Sequence, residues 1–549
     1  MRLAPADAIC NIRFNKEIRC NKIAAFVTFV TLPLLMAISV EGVAQTAWTR
    51  PVPKAECGPN DRVETGLQGE TTPEDRISGR SELGYNCNLE LVGQHQGEGQ
   101  WWFGGGNWTS YHDCTYYSTR GHALMTNPGA VVIDVSNPAK PRATDYLSDS
   151  IAFRSSHESL KVHEKRGLLA ANQSSPNVGP GFSVYDISSD CLHPKKLVNF
   201  DIGGTMSPPT VGHAGNFTPD GYTYYSTNPF QGDGDRMQVI DLFDPAHPKL
   251  IVDWKFPAVN GPDTGIPHDP FFNVHGTRLY SPQGGRPATV GQPETPGNPQ
   301  IGRPNGLVIL DVSEIQFRRP NPKIHVISTM FWEDGGTAQS IYPYTYKGKD
   351  FLVFADENNY AGSNQLSCEA GFPAAGFARI IDISDETQPK LVSKLKLEVH
   401  DVANCAQILK SPQANSQSNY NAHYCTPDRD RNPRLMACNY FAAGLRVFDI
   451  RDPYRPREVA YYKPPAQRTK FLPGSNVWAE SNPDRTVDFN ASDIRWKKHK
   501  GEMHLHFSSA DNGFQIVRFT NGVIEDIRAK DAVENAKRVM NGIDDGNDD

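Results

Sequence analysis

Short, mostly apolar runs recur along this chain, six of them closing on an aspartate and followed by a Pro-punctuated turn and a second apolar run. In residues 130–147, Ala-Val-Val-Ile-Asp leads through Val-Ser-Asn-Pro-Ala-Lys-Pro into Arg-Ala-Thr-Asp-Tyr-Leu. The same sentence returns at Phe182-Ser-Val-Tyr-Asp, Met237-Gln-Val-Ile-Asp, Leu307-Val-Ile-Leu-Asp, Ala378-Arg-Ile-Ile-Asp and Leu445-Arg-Val-Phe-Asp. A weaker seventh copy, Phe514-Gln-Ile-Val-Arg, carries Arg518 where the others carry Asp. A run of four or five apolar residues bounded by turn residues predicts a strand buried on both faces. The Asp, Pro and Gly between runs predict tight turns, with the aspartate capping the turn rather than serving chemistry.

The aspartate position falls at 134, 186, 241, 311, 382, 449 and 518, so the repeat is 52 to 71 residues long. A strand-rich unit of roughly 40–50 residues with added loops is the period of a propeller blade. A blade with two apolar faces cannot bury them alone, so blades must stack in a ring. Val-Val-Ile-Asp-Val-Ser-Asn-Pro at 131–138 and its echoes resemble the LVIVD-repeat family of β-propellers, over nearly all of residues 85–530. The resemblance implies an all-β fold, a seven-bladed β-propeller with four-stranded antiparallel blades. It implies little about activity, because propellers host unrelated functions.

The ends of the chain read differently. Arg13, Lys16, Arg19 and Lys22 precede an apolar stretch, Ile23 to Val40, and Gly42-Val43-Ala44 places small residues before Gln45. Residues 1–44 therefore read as a secretory signal peptide. A retained anchor is the alternative, but the run is short against the ~20 residues a span needs. No later run is apolar enough to cross a bilayer, so the mature chain is expected to be secreted or periplasmic, with no stable transmembrane segment. Residues 45–84 read as an irregular lead-in, 85–530 as the propeller and 531–549 as a polar, acidic tail. Asn88-Leu-Glu-Leu-Val-Gly-Gln resembles the second apolar run of a repeat but precedes the first motif strand. Lent to the last blade, it would close the ring and remove an open edge. Val523-Ile-Glu-Asp-Ile competes for that place.

Eight cysteines remain behind the leader, an even count that predicts four disulfides in an oxidising compartment. Cys425 and Cys438 are the best pair, on adjacent strands of one blade. The net charge of −7, without a basic block large enough to track a phosphate backbone, argues against nucleic acid as a partner, and none is expected. Insertions at Gln283–Asn305, Glu357–Gly376, Asp401–Asn421 and Pro464–Asn490 would crown one face. Asn107, Asn172, Asn216 and Asn490 match the short glycosylation pattern.

Aligned on their first strands, the blades share a histidine: Ser156-His157-Glu158, Gly212-His213-Ala214, Pro267-His268-Asp269 and Ala422-His423-Tyr424. Blade five offers Gln339 and blade seven Asp493 at the aligned place. First strands line the central channel, so four imidazoles from equivalent positions would ring the axis and suit a divalent transition metal such as Zn, Cu, Fe or Mn. Glu158 and Asp269 are the candidate acid/base groups, or carboxylates that orient a histidine. Neighbouring strand residues face opposite ways, so neither is expected to contact its own neighbouring histidine, while a histidine of another blade is open to it. His400 rivals His423 for the channel, and His504 with His506 could share one face. Trp101, Trp102, Trp108, Tyr111, Tyr116 and Tyr117 form an aromatic cluster that suits packing or a sugar.

Two readings follow. In one, His157, His213, His268 and His423 bind a metal and a small ligand in an axial pocket, with metal-dependent catalysis as the outcome. By analogy of fold alone, four-histidine propellers resemble carotenoid-cleaving oxygenases and axial-metal polysaccharide lyases, whose own motifs are absent. In the other, one structural histidine was copied with the repeat, and the chain is a non-catalytic binding module for a surface protein or glycan.

Overall fold

A computed structural model describes residues 46–549, apart from 97–107, 118–126, 174–180, 201–211, 228–235, 257–265, 293–299, 412–418, 470–485, 491 and 541–549. Residues 1–45, which hold the expected leader, and Trp101, Trp102, Asn107 and the last residues of the tail lie outside the described residues. Residues 46–549 form one unit of seven antiparallel sheets arranged in a ring. In the first blade the strands are Trp108–Tyr111, Cys114–Tyr117, Ala130–Asp134 and Arg142–Leu147, in that spatial order. Every copy of the motif is likewise the third strand of its blade, and in blades one to five the following run is the outermost. The expected all-β, seven-bladed propeller with four-stranded blades is the fold. The sixth blade adds a fifth strand, Tyr85–Cys87, on its outer edge.

The last blade consists of Arg495–His499, Glu502–Ser509 and Gly513–Phe519, completed by Leu89–His95 from the start of the chain. Leu89 pairs with Phe519 and His95 with Phe514. Val523-Ile-Glu-Asp-Ile takes no part in this edge and opens a helix, Val523–Met540. The edge is already filled, the segment is rich in helix formers, and Glu525 and Asp526 lie in its first turn, where the helix dipole favours them.

The motif strands explain why the ring holds. Seven apolar clusters fill the seven seams between blades. Alternate residues of one strand serve opposite seams, as the period of two requires. Ala130 and Val132 pack with Leu169 and Tyr185 of blade two, whereas Val131 and Ile133 pack with Phe514 and Ile516 of blade seven. Likewise Val308 and Leu310 face blade three, and Leu307 and Ile309 face blade five. Each such side chain contributes ~1.5–3 kcal/mol by leaving water, and no blade retains that contribution without its neighbours.

The motif aspartates cap the turns between third and fourth strands, as expected. Each accepts a hydrogen bond from the amide two residues on: Ser136 to Asp134, Ser188 to Asp186, Phe243 to Asp241, Ser313 to Asp311, Ser384 to Asp382 and Arg451 to Asp449, at 2.8–3.2 Å. The antiparallel order places all these turns at one end of the ring. Connections from second to third strand, and from fourth strand to the next blade, leave from the other end. All four long insertions are connections of these two kinds.

The lead-in is a strap along the outer edges of blades five, six and seven. Trp48 donates its amide to Val392 O (3.0 Å) and accepts from Lys394 N (2.8 Å). Tyr85–Cys87 pairs with Arg457–Lys463, and Leu89–His95 follows on the last blade. Glu64 is buried against Arg446 and Lys463, whose charges hold its carboxyl low against the cost of burial. Four disulfides are present: Cys57–Cys87, Cys114–Cys191, Cys368–Cys405 and the expected Cys425–Cys438. Among the described residues no helix is long and apolar enough to cross a membrane.

Candidate functional site

His157, His213, His268 and His423 stand just ahead of the first strands of blades two, three, four and six, at the end of the ring that carries the insertions. Three are fixed by the same backbone bond. The amides of His213, His268 and His423 donate to the second-strand carbonyls of Thr227 (2.8 Å), Pro282 (3.0 Å) and Asn439 (2.9 Å). Their carbonyls are held by the neighbouring blade: Glu158 N to His213 O (3.2 Å), Thr227 Oγ1 to His268 O (2.8 Å) and Ser340 Oγ to His423 O (2.5 Å). The repeat thus sets each backbone, and the ring sets the backbones against one another.

The imidazoles converge on one carboxylate. Glu158 Oε2 lies 3.1 Å from His213 Nε2, 3.4 Å from His268 Nε2 and 3.8 Å from His157 Nδ1, and Glu158 Oε1 lies 3.3 Å from His423 Nε2. The Glu158 side chain is 1 % exposed. The rings of His157 and His213 are 4.2 Å apart between centroids, those of His213 and His268 5.0 Å. Reach across blades was open to Glu158; its approach to its own neighbour was not expected. The cause is local: both residues lie ahead of the strand Lys161–His163, and His157 has a left-handed φ of +44°, so the alternation of a strand does not apply to the pair.

Bonds of ~2.0–2.2 Å from a metal to imidazole nitrogen and carboxylate oxygen place adjacent ligand atoms ~2.9–3.5 Å apart. Three of the four Glu158–imidazole contacts fall in that range, and His157, Glu158 and His213 each offer a ligand atom within 4.8 Å of the other two. Burial, then the neighbouring His213 and His423, push His268 well below its ordinary value, so it is neutral at pH 7. Neutral imidazole is the metal-binding form.

Asp269 occupies a different place. Its carboxylate is ion-paired with Lys161 Nζ (2.9 Å), both side chains buried, and burial pushes it up to about 6 against the pull of Lys161. Two members of the cluster were not singled out from sequence. Gln339 of blade five, at the position aligned with the histidines, donates Nε2 to Glu158 Oε1 (2.7 Å). The alignment set it at the histidine position but gave it no role. Glu357, at the end of the second strand of blade five, lies 3.7 Å from His423 Nε2. Burial, then the charge of Glu158, push its carboxyl up to about 8. No local pattern marks it, because only the ring brings blade five beside blade six.

The rival groups resolve as structural. His400 is buried in a 3₁₀ turn, where Nδ1 accepts from Leu397 N (2.9 Å) and Nε2 therefore donates to Tyr420 O (2.8 Å). Burial pushes it down to about 3. His504 and His506 do share a face, with rings 6.4 Å apart, and His506 packs on Trp108 and Phe514. Trp108, Tyr116 and Tyr117 are buried in the seams. Asn172 and Asn490 are fully buried, which excludes them as glycosylation acceptors in the folded protein.

The LVIVD repeat family matches residues 126–144 and 377–396, which are the motif strand, turn and outer strand of blades one and five. No curated protein matches the chain. Among solved structures it is similar to the β-propeller domain of Cps50 (Swd1) from Myceliophteria thermophila, at 10% identity and TM-score 0.44, covering 79% of this chain and 100% of that one. It is also similar to PpgL, a periplasmic gluconolactonase of Pseudomonas aeruginosa, at 11% identity and TM-score 0.42, covering 73% of this chain and 97% of that one.

Proposed function

We propose that this chain, whose LVIVD repeats build a seven-bladed β-propeller, is an exported metalloprotein. Its axial pocket binds a divalent transition metal through His157, His213, His268, His423 and Glu158, and acts there on a small molecule as a metal-dependent enzyme. One observation carries the reading: imidazoles from four blades gather within 3.1–3.8 Å of a single buried carboxylate. Export is supported by the basic-then-apolar leader and by the four disulfides, which persist in oxidising compartments.

The chain's own contributions are positional. Glu158 gives the cluster a negative charge that favours a cation over a neutral ligand, and Gln339 fixes its carboxylate plane. A bound Zn, Cu, Fe or Mn ion would supply Lewis-acid polarisation of a substrate oxygen. Glu357 flanks His423 and adds a second carboxyl to that side of the pocket.

The test is elemental analysis of untagged protein beside a His213→Ala/His268→Ala variant. A stoichiometric transition metal in the wild type that is lost in the variant is the expected result. No metal in either, with a melting temperature unmoved by added Zn, Cu, Fe or Mn salts, would make the cluster a polar hub between blades and turn attention to the binding-module reading.

A further inference from the structure

The insertion between the second and third strands of blade four holds a cation with unusual surroundings. Pro282 O accepts from His268 N (3.0 Å), and Gln283 bridges to Pro267. The insertion therefore begins level with the axial histidines, and Arg286 follows four residues after Pro282. Its backbone is held down on both sides. Arg286 N donates to Gln300 O (3.2 Å), and the preceding Gly285 O accepts from Thr337 N (2.8 Å), two residues before Gln339 of the axial cluster. The insertion of blade five lies against it. Ala288 N donates to Tyr360 O (3.1 Å), and the Tyr360 ring stacks on Phe372. A Cβ added at Gly362 would sit 3.1 Å from both Cζ and Nε of Arg286. The guanidinium thus rests against bare backbone in blade five's insertion, five residues beyond Glu357.

Arg286 is partly buried, and no carboxylate among the described residues pairs with it. Its Nε is buried without a hydrogen-bond partner. The contrast with the other arginines drawn into the fold is direct: Arg379 meets Asp334 and Asp356, and Arg446 meets Glu64 and Glu458. Burial lowers the pKa of Arg286 with no neighbouring charge to offset the cost. A desolvated guanidinium with a free edge is the residue type suited to forked recognition of an oxyanion. Taking a charge out of water without compensation is costly, and an arriving anion would supply the missing partner.

We infer that Arg286 is the anchor for a small oxyanion-bearing ligand, a carboxylate or a phosphate, whose other end reaches the axial histidines. The inference rests on the axial pocket being a ligand site, and it names the class of molecule taken there: a small organic acid or phosphoester. The described parts of the two insertions, residues 283–292, 300–305 and 357–376, then have a shared task, to shape the anion subsite at the edge of the pocket between blades four and five.

The experiment titrates inorganic phosphate and, separately, succinate into the wild-type protein, Arg286→Met and Arg286→Lys, following binding by calorimetry at low and high salt. At least one probe should bind the wild type, bind Arg286→Met about tenfold or more weakly, as loss of a charge-assisted fork requires, and bind Arg286→Lys in between. The preferred probe identifies the oxyanion. The His213→Ala/His268→Ala variant should lose metal yet still bind the probe in a way that Arg286→Met abolishes, and Arg286→Met should keep its metal, so the two readings fail separately. Should Arg286→Met not fold, phenylglyoxal labelling of the wild type gives the same answer by peptide mapping. Arg286 should react, and the bound probe should protect it. The inference is overturned if neither probe binds the wild type, if Arg286→Met binds as the wild type does, or if the probe leaves labelling of Arg286 unchanged.

Discussion

Glu158 and His213 grip each other twice across the seam between blades two and three. The Glu158 amide donates to His213 O at 3.2 Å, while Glu158 Oε2 stands 3.1 Å from His213 Nε2. One residue thus fixes both the backbone register between two blades and the charge on the axis. Replacement should separate those roles. Glu158→Gln keeps the shape and removes the charge, so metal retention should fall by at least tenfold with a small change in melting temperature. Glu158→Ala should also lose ~2–4 kcal/mol of stability, because it opens a buried polar cluster. Elemental analysis and denaturant titration of both variants check this.

His400 and His423 should behave in opposite ways. His423→Ala should lower metal content while the fold stays near wild-type stability. His400→Ala removes two buried hydrogen bonds and a packed ring, so it should cost ~2–4 kcal/mol and leave metal stoichiometry intact. A reversed outcome in metal content would remove His423 from the site.

Stability should fall on acidification because of histidines outside the axial cluster. Burial holds His400 and His506 down to about 3, whereas the unfolded chain titrates near 6.5. Between those values the unfolded state binds protons that the folded state refuses. The stabilisation is therefore complete above about pH 6.5 and declines as pH drops toward 3, on the order of 1 kcal/mol per pH unit for each histidine. Urea midpoints at pH 7, 5.5 and 4.5 should decrease in that order, and His506→Phe should flatten the trend.

The motif aspartates should matter for folding and not for the site. Asp186→Ala removes the bonds from Ser188 N and Oγ and should cost ~0.5–1.5 kcal/mol. Metal content and anion binding should not change, since the turn lies at the opposite end of the ring. Any loss of metal in this variant with the fold intact would contradict the assignment.

Reducing the disulfide between Cys114 and Cys191 should loosen the seam between blades one and two. It joins the second strand of one blade to the turn after the motif strand of the next. Cys114→Ser/Cys191→Ser should be destabilised by ~2–4 kcal/mol, read from thermal or urea unfolding. Peptide mapping without reductant should return the four pairs named above.

The blades were legible because their signals are local. A mostly apolar run ending in Asp specifies a doubly buried strand and its capped turn locally, and six such copies with a weaker seventh ending in Arg518 require a ring. The lent strand Leu89–His95 was legible for the same reason. Val523-Ile-Glu-Asp-Ile, the rival for the closing strand, is instead the start of a helix, because a short apolar run has no period long enough to separate the two forms.

The candidate site was half legible. Repetition placed four histidines at one level, and alignment placed Gln339 beside them. The turn of Glu158 onto all four imidazoles depended on a left-handed residue at His157, which no propensity announces. The sequence by itself determined the number of blades, their capped turns, the seams between them and the histidine ring, since all of these follow from periodic patterns. Only the tertiary structure decided that Glu158 stands at the centre, that Glu357 joins it, that His400 is withdrawn into a turn and that Arg286 rests on Gly362 with no carboxylate partner among the described residues. These are contacts between blades or between insertions, and the distances that define them exist only once the ring is closed.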